Sequence, residues 1–294
     1  MMAQPVTVSL VLGSGGARGL AHIGVIEWLT ENGYVVRSIA GSSMGALVGG
    51  IFAAGKLEVY AEWVSALERM DVVRLLDPAF GRAGLFRGER IISVLRELIG
   101  DCLIDELPIS FTAVATDLAT GKEVWLHEGK LFDAIRASIS LPLIFTPFNH
   151  GGRQLLDGGL VNPIPIAPTL NDTTDLTIAV NLSGPEEARP PSPPAFSSPG
   201  IDAYRERIIK FIDSLGLARM PDAPSVGFTE IILASMETMQ NTIARLKLAA
   251  YSPDVTIHIP RNACLFHEFW RAEELIALGH ERSARAFGHT GRTS

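Results

Sequence analysis

Cysteine is almost missing from this chain of 294 residues, which holds only Cys102 and Cys264, far apart and without metal-ligand spacing. Two buried free thiols in a cytosolic protein are expected, rather than a disulfide or a metal cluster. Grouped positive charge is lacking too. The formal net charge is −7, with no run of Lys or Arg. That argues against nucleic acid as a partner, because phosphate binding draws on clustered cations. No apolar stretch approaches the roughly 20 residues needed to span a bilayer. The start of the chain, MMAQPVTVSLVLGSGG, lacks a basic n-region, and its apolar run is short for a signal peptide. The expectation is a soluble, cytoplasmic protein for which peripheral contact with a membrane stays open. Against these absences stand 47% hydrophobic and 19% charged residues, a composition that builds a sizeable core.

Residues 6–12 form a short β-branched run ending in glycines, the mark of a buried parallel strand. Helical spacing follows over 17–31, closed by Asn32-Gly33. A second strand at 34–40 leads to a small-residue apolar helix from Met44 to Ala54. This alternation predicts an α/β fold with a mainly parallel central sheet flanked by helices. Further strands are expected at 111–116, 122–126, 153–156, 176–182 and 255–259, and helices at 202–215, 229–250 and 271–286. Six prolines in sixteen residues make 185–200 an extended, flexible loop. The whole chain reads as one α/β domain with its core at about 6–182. Residues 201–225 are a candidate lid or interfacial helix, since Tyr204, Ile208, Phe211, Ile212 and Leu215 lie opposite charged residues.

Between the second strand and the second helix lies Gly41-Ser42-Ser43-Met44-Gly45, a GxSxG pattern. A nucleophile on a tight strand-to-helix turn holds its hydroxyl clear of the backbone, and small residues two before and two after avoid collision. Ser43, not Ser42, has that place. The helix starting at Met44 directs free N–H groups towards a developing oxyanion.

The first strand runs into Gly13-Ser14-Gly15-Gly16-Ala17-Arg18-Gly19. A phosphate-binding loop would end in Gly-Lys-Ser or Gly-Lys-Thr, and a dinucleotide fold would carry an acidic residue at the end of the second strand. Neither is present. An oxyanion hole fits better, because glycine N–H groups approach a ligand oxygen without obstruction. Arg18 would fix the loop or add positive potential beside it. No metal or other cofactor is expected.

A serine nucleophile needs a proton acceptor. Of seven histidines, His22 reads as structural and His127 and His150 sit near strand or loop ends. His258, His267, His280 and His289 follow in the order that a Ser-Asp-His triad would need, without a distinctive setting. Asp157 closes a strand and precedes Gly158-Gly159, which leaves its carboxylate uncrowded at a strand end, where α/β folds place their sites. An ordinary Asp-Gly turn is the alternative for it, and Asp117 is a second carboxylate with a structural look.

Taken together, the glycine loop with Arg18, the Gly41–Gly45 turn and Asp157-Gly158-Gly159 resemble the patatin-like phospholipase family. The nearest branch is the bacterial one similar to the neuropathy target esterase catalytic domain. Ala137-Ser138-Ile139-Ser140-Leu141-Pro142, Phe145-Thr146-Pro147 and Asn162-Pro163-Ile164-Pro165 extend the likeness. The resemblance implies a three-layer patatin-like fold and a Ser43–Asp157 dyad without histidine. It implies an oxyanion hole at Gly15, Gly16 and Met44, beside Arg18. The family's GxGxxG maps onto Ser14, Gly16 and Gly19, so serine fills its first slot. The implied substrates are fatty acyl esters: phospholipids, lysophospholipids or simple carboxylic esters. A triad hydrolase and a non-catalytic lipid-binding regulator are the alternatives.

Overall fold

The computed structural model describes residues 4–79, 84–188 and 228–290. The candidate lid at 201–225 lies outside them, as does most of the proline-rich stretch. The chain clusters into two compact units, residues 1–187 with 235–294, and residues 188–234. Of the smaller unit the structure describes residue 188 and the start of one helix.

In the larger unit, strand β1 (Thr7–Leu12) leads through a 3-10 turn, Gly16–Leu20, into helix α1 (Ala21–Glu31). The expected helix at 17–31 therefore begins as a tighter coil. Gly16 sits at φ +56°, a conformation open to glycine that an α-helical first turn does not use. Strand β2 (Val35–Ser42) and helix α2 (Met44–Ala53) follow. Helices α3 (Leu57–Ser65), α4 (Arg69–Arg74) and α5 (Glu89–Ile99) come next, in a stretch for which the sequence reading names no element. Then come β3 (Ser110–Asp117), β4 (Glu123–Leu126), α6 (Leu131–Ser138), β5 (Phe148–His150), β6 (Arg153–Asp157) and β7 (Leu176–Gly184). Helix α7 (Phe228–Tyr251), strand β8 (Val255–Pro260) and helix α8 (Ala272–Thr290) complete the described chain.

The strands form one sheet in the order β5-β6-β3-β2-β1-β7-β8, with β4 also paired to β3. The run from β3 to β8 is parallel throughout, and the β4, β5 and β6 pairings are antiparallel. Strand β1, flanked by β2 and β7, shows why helices must cover both faces. Val8, Leu10 and Leu12 join the main core with α1 and α2, whereas Val11 packs with Ala179 and Ala244 of α7. Alternate side chains of a strand point to opposite faces, so a central strand apolar on both sides must be buried on both. That is a three-layer arrangement. Helices α1 and α8 cross at glycine: a Cβ on Gly24 would lie 1.9 Å from Ile276 O. Among the described residues no helix is long and apolar enough to cross a membrane. Cys264 is buried, but Cys102 is only partly so, because it lies in the loop after α5 rather than in the core.

Candidate active site

Strand β2 ends at Ser42 and helix α2 begins at Met44, so Ser43 alone makes the turn between them. Its backbone stands at φ 55°, ψ −121°, a conformation costing about 1–3 kcal/mol for a residue with a side chain. What holds it there is packing with no slack. A Cβ on Gly41 would lie 2.4 Å from Gly45 O, and one on Gly45 would lie 2.0 Å from Leu12 O. Glycine at both positions lets the turn press against the end of β1. The Ser43 N–H donates to Ser138 Oγ at 2.9 Å, and the Ser138 hydroxyl donates onward to Val114 O at 2.6 Å. Ser138 therefore pins the turn to β3. In the sequence, the only signal for Ser138 is the Ser-x-Ser-x-Pro pattern that begins at the last residue of α6.

Asp157 closes β6, whose register puts it opposite Ala115 of β3. Its N–H donates to Ser140 O and its carbonyl accepts from Thr116 Oγ1. The side chain is thus aimed by its own backbone. Ser43 Oγ donates to Asp157 Oδ2 at 2.6 Å, and Gly159 N–H donates to Oδ1 at 2.7 Å. Only 2% of Asp157 is exposed. Burial raises its carboxyl from an ordinary 3.8 to about 7, against the opposing pull of the bonds from Ser43 and Gly159. Gly158 and Gly159 are buried behind it.

The glycine loop is fixed from outside itself. Gly13 N–H donates to Val180 O, Ser14 N–H to Pro163 O and Ala17 N–H to Phe266 O. His22 Nε2 lies 2.8 Å from Gly13 O. A carbonyl only accepts, so Nε2 carries the proton. Burial lowers this imidazole to about 4, which keeps it neutral. Arg18 donates to Gly15 O at 3.2 Å and to Arg261 O at 2.5 Å, and pairs with Glu237 of α7 at 2.7 Å. Its guanidinium thus ties the loop to two later parts of the chain. Between these anchors, the N–H groups of Gly15 and Gly16 have no partner among the described residues, and neither has that of Met44. Gly19 makes room for the Met44 side chain, whose Cβ would lie 2.3 Å from a Cβ at 19. Ser14 Oγ is buried and has no partner among the described residues.

Gly16, Ser43, Met44 and Asp157 share one cavity of about 240 Å³. Beyond this polar end its wall is aliphatic and aromatic: Leu47, Val64, Leu75, Leu95, Ile144 and Phe145 are typical. Much of that wall comes from α3, α4 and α5. Helical spacing of Ile91, Ile92, Leu95 and Ile99 is the signal that could have found α5.

No histidine among the described side chains bonds to Ser43 or Asp157. His258 meets Asn181, His280 meets Glu31, and His267 lines the cavity with its ring against Trp270. Asp117 caps its own turn by accepting from Ala119 and Thr120 N–H.

The chain has relatives among known proteins. An NTE family protein of Mycobacterium tuberculosis is 38% identical, the match covering 95% of this chain and 91% of that protein. A patatin-like phospholipase domain-containing protein of Caenorhabditis elegans is 34% identical over 61% of this chain and 14% of its own length. The lysophospholipase NTE1 of Debaryomyces hansenii is 30% identical over 63% of this chain and 12% of its own. Residues 10–170 match the family model described as patatin-like phospholipase, a span running from β1 past Asp157 and covering more than half of the sequence; the chain belongs to that family.

Proposed function

We propose that this protein is a serine lipid acyl hydrolase in which Ser43 is the nucleophile and Asp157 its general base. The observation that carries the reading is the 2.6 Å bond from Ser43 Oγ to a buried Asp157, at the polar end of an otherwise apolar cavity. As Ser43 Oγ attacks an acyl carbonyl, its proton passes to Asp157 Oδ2. A carboxylate of ordinary pKa would be a poor acceptor, and one raised to about 7 is matched to neutral pH. The N–H groups of Gly15, Gly16 and Met44 are the donors for the oxyanion, helped by the N-terminus of α2. Arg18 keeps the loop in shape, since its nitrogens are committed to Gly15 O, Arg261 O and Glu237. Asp157 next gives its proton to the leaving alcohol, and water repeats the sequence on the acyl-enzyme.

The apolar wall suits a fatty acyl chain, so the substrate class is a long-chain carboxylic ester, of a phospholipid or a lysophospholipid. This agrees with the name of one relative, a lysophospholipase. A histidine-containing triad lacks a supporting contact, and a purely lipid-binding role leaves the strained Ser43 backbone without a use. The test is labelling with a fluorophosphonate followed by mass spectrometry. An adduct on Ser43, absent from Asp157→Asn, is expected. An adduct on Ser42 or Ser138 instead would overturn the assignment.

A further inference from the structure

The wall of the cavity has an outer side. Helix α4 turns Val72 towards the cavity, with Leu75 and Leu76 just after it, while Met70 and Val73 stand 59% and 55% exposed. The same division recurs twice nearby. Phe86 lines the cavity and Leu85 beside it is 57% exposed; Phe266 lines it and Leu265 beside it is 58% exposed. The three segments adjoin one another. Arg69 at the start of α4 lies 4.9 Å over the Trp270 ring, and Phe86 bridges to Pro78, just beyond α4. Single exposed apolar residues are ordinary, but each of these lies one or two residues along the chain from a residue of the cavity lining.

The charges around this rim are sorted. Glu68 and Asp71 are used in the capping box of α4, Asp77 accepts from the N–H groups of Gly88 and Glu89, and Glu89 pairs with buried Arg136. Arg69, Arg87 and Arg90 are exposed, and no described carboxylate pairs with them. In a chain of net charge −7, that leaves guanidinium groups whose charge no described carboxylate neutralises beside an apolar rim, Arg69 lying over the Trp270 ring and Arg90 donating to Arg74 O. Apolar side chains flanked by arginines match the layering of a phospholipid surface, acyl region below and phosphates above.

We propose that this rim docks the protein on a phospholipid surface. Met70, Val73, Leu85 and Leu265 enter the acyl layer, and Arg69, Arg87 and Arg90 meet phosphates. An acyl chain then passes from the bilayer to Ser43 along apolar surface without crossing water. The proposal rests on the acyl-hydrolase reading for its effect on turnover, but the docking itself is measurable on the Ser43→Ala protein, so the two can fail separately.

The experiment is co-sedimentation of full-length Ser43→Ala protein with vesicles of phosphatidylcholine, with and without phosphatidylglycerol. Adding Met70→Ser, Val73→Ser, Leu85→Ser and Leu265→Ser should lower the bound fraction on both vesicles by at least about tenfold. Arg69→Gln, Arg87→Gln and Arg90→Gln should weaken binding chiefly to the phosphatidylglycerol vesicles and remove its salt dependence. With Ser43 intact, the four serine changes should slow hydrolysis of a vesicle-borne long-chain ester and spare a short soluble ester. As a check independent of folding, Val73→Cys in a Cys102→Ser background, carrying a polarity-sensitive fluorophore, should shift to the blue on adding vesicles. Unchanged sedimentation, or no blue shift, would overturn the proposal. So would a dimer in sedimentation velocity that the serine changes convert to monomer, since the rim would then be a contact between copies of this chain.

Discussion

The proposed reacting centre and the cavity wall are built on opposite terms. At the centre the polar atoms of the two facing side chains and their supports are assigned: Ser43 to Asp157 and Ser138, Asp157 to Gly159, Ser140 and Thr116. Each of these bonds is directional and weakens as its distance or angle leaves a narrow range. The wall is held by contacts between aliphatic and aromatic side chains from α3 to α5 and the 139–145 loop. Those contacts have no direction and tolerate exchange of one apolar residue for another of similar volume. The difference implies that changes at the centre act on rate for every substrate, and changes in the wall act on which substrate is accepted.

The sharpest division between the two regions is Ser43→Ala, which should lower kcat by about 10⁴-fold or more on short and long esters alike while leaving the thermal melt near that of the parent. Asp157→Asn should come close, at about 10⁴-fold, with a second signature. Its carboxyl, at about 7 in the folded chain against an ordinary 3.8, holds a proton that the unfolded chain releases. Folding stability must therefore fall as pH rises from 3.8 towards 7. Activity does the reverse, because only the carboxylate accepts a proton, so kcat/KM should rise through pH of about 7. Melting curves at acid and alkaline pH should show that Asp157→Asn loses this decline in stability. A parent protein whose rate is flat through neutral pH would remove Asp157 from the role of base.

In the wall, Leu95→Trp should cut turnover of long-chain esters by about 10–100-fold and spare the shortest; kcat/KM across a chain-length series checks this. Equal loss for every length would erase the proposed contrast. Arg18→Ala sits between the regions. By loosening the loop that carries Gly15 and Gly16 it should lower kcat by about tenfold with little change in KM. The smallest effect belongs to the histidines: His258→Ala and His280→Ala should each change kcat/KM by less than about threefold. A loss at either as large as that of Ser43→Ala would restore the triad.

The same contrast governs what is legible in the sequence. The centre depends on a few residues that must be contiguous, such as Gly41 to Gly45 or Asp157 to Gly159, so a short pattern carries it. Strands β1, β2 and β7 announce themselves as short runs rich in apolar residues, interrupted only at places such as Ser9 and Arg37. The wall depends on residues scattered from Gly16 to Phe269, and no local pattern says that they converge. Ser138 falls between: its hydroxyl matters only because α6 ends beside the turn at Ser43, a tertiary fact. Likewise the commitment of Arg18 to Glu237 and Arg261 spans more than two hundred residues of chain, and nothing near Arg18 announces it.

The anchoring of the glycine loop has a consequence in time. Gly13 to Arg18 leave the ribosome well before the residues to which they bond, Pro163, Val180, Glu237, Arg261 and Phe266. Contacts so distant along the chain form late, because closing long loops is slow and must precede any gain from the contact. A nascent chain carries the Ser43 turn long before anything fixes the loop beside it. On the proposed reading, a hydrolase assembled in this order would be inert during its own synthesis and become active only once β8 had joined the sheet and the segment after it had reached the glycine loop.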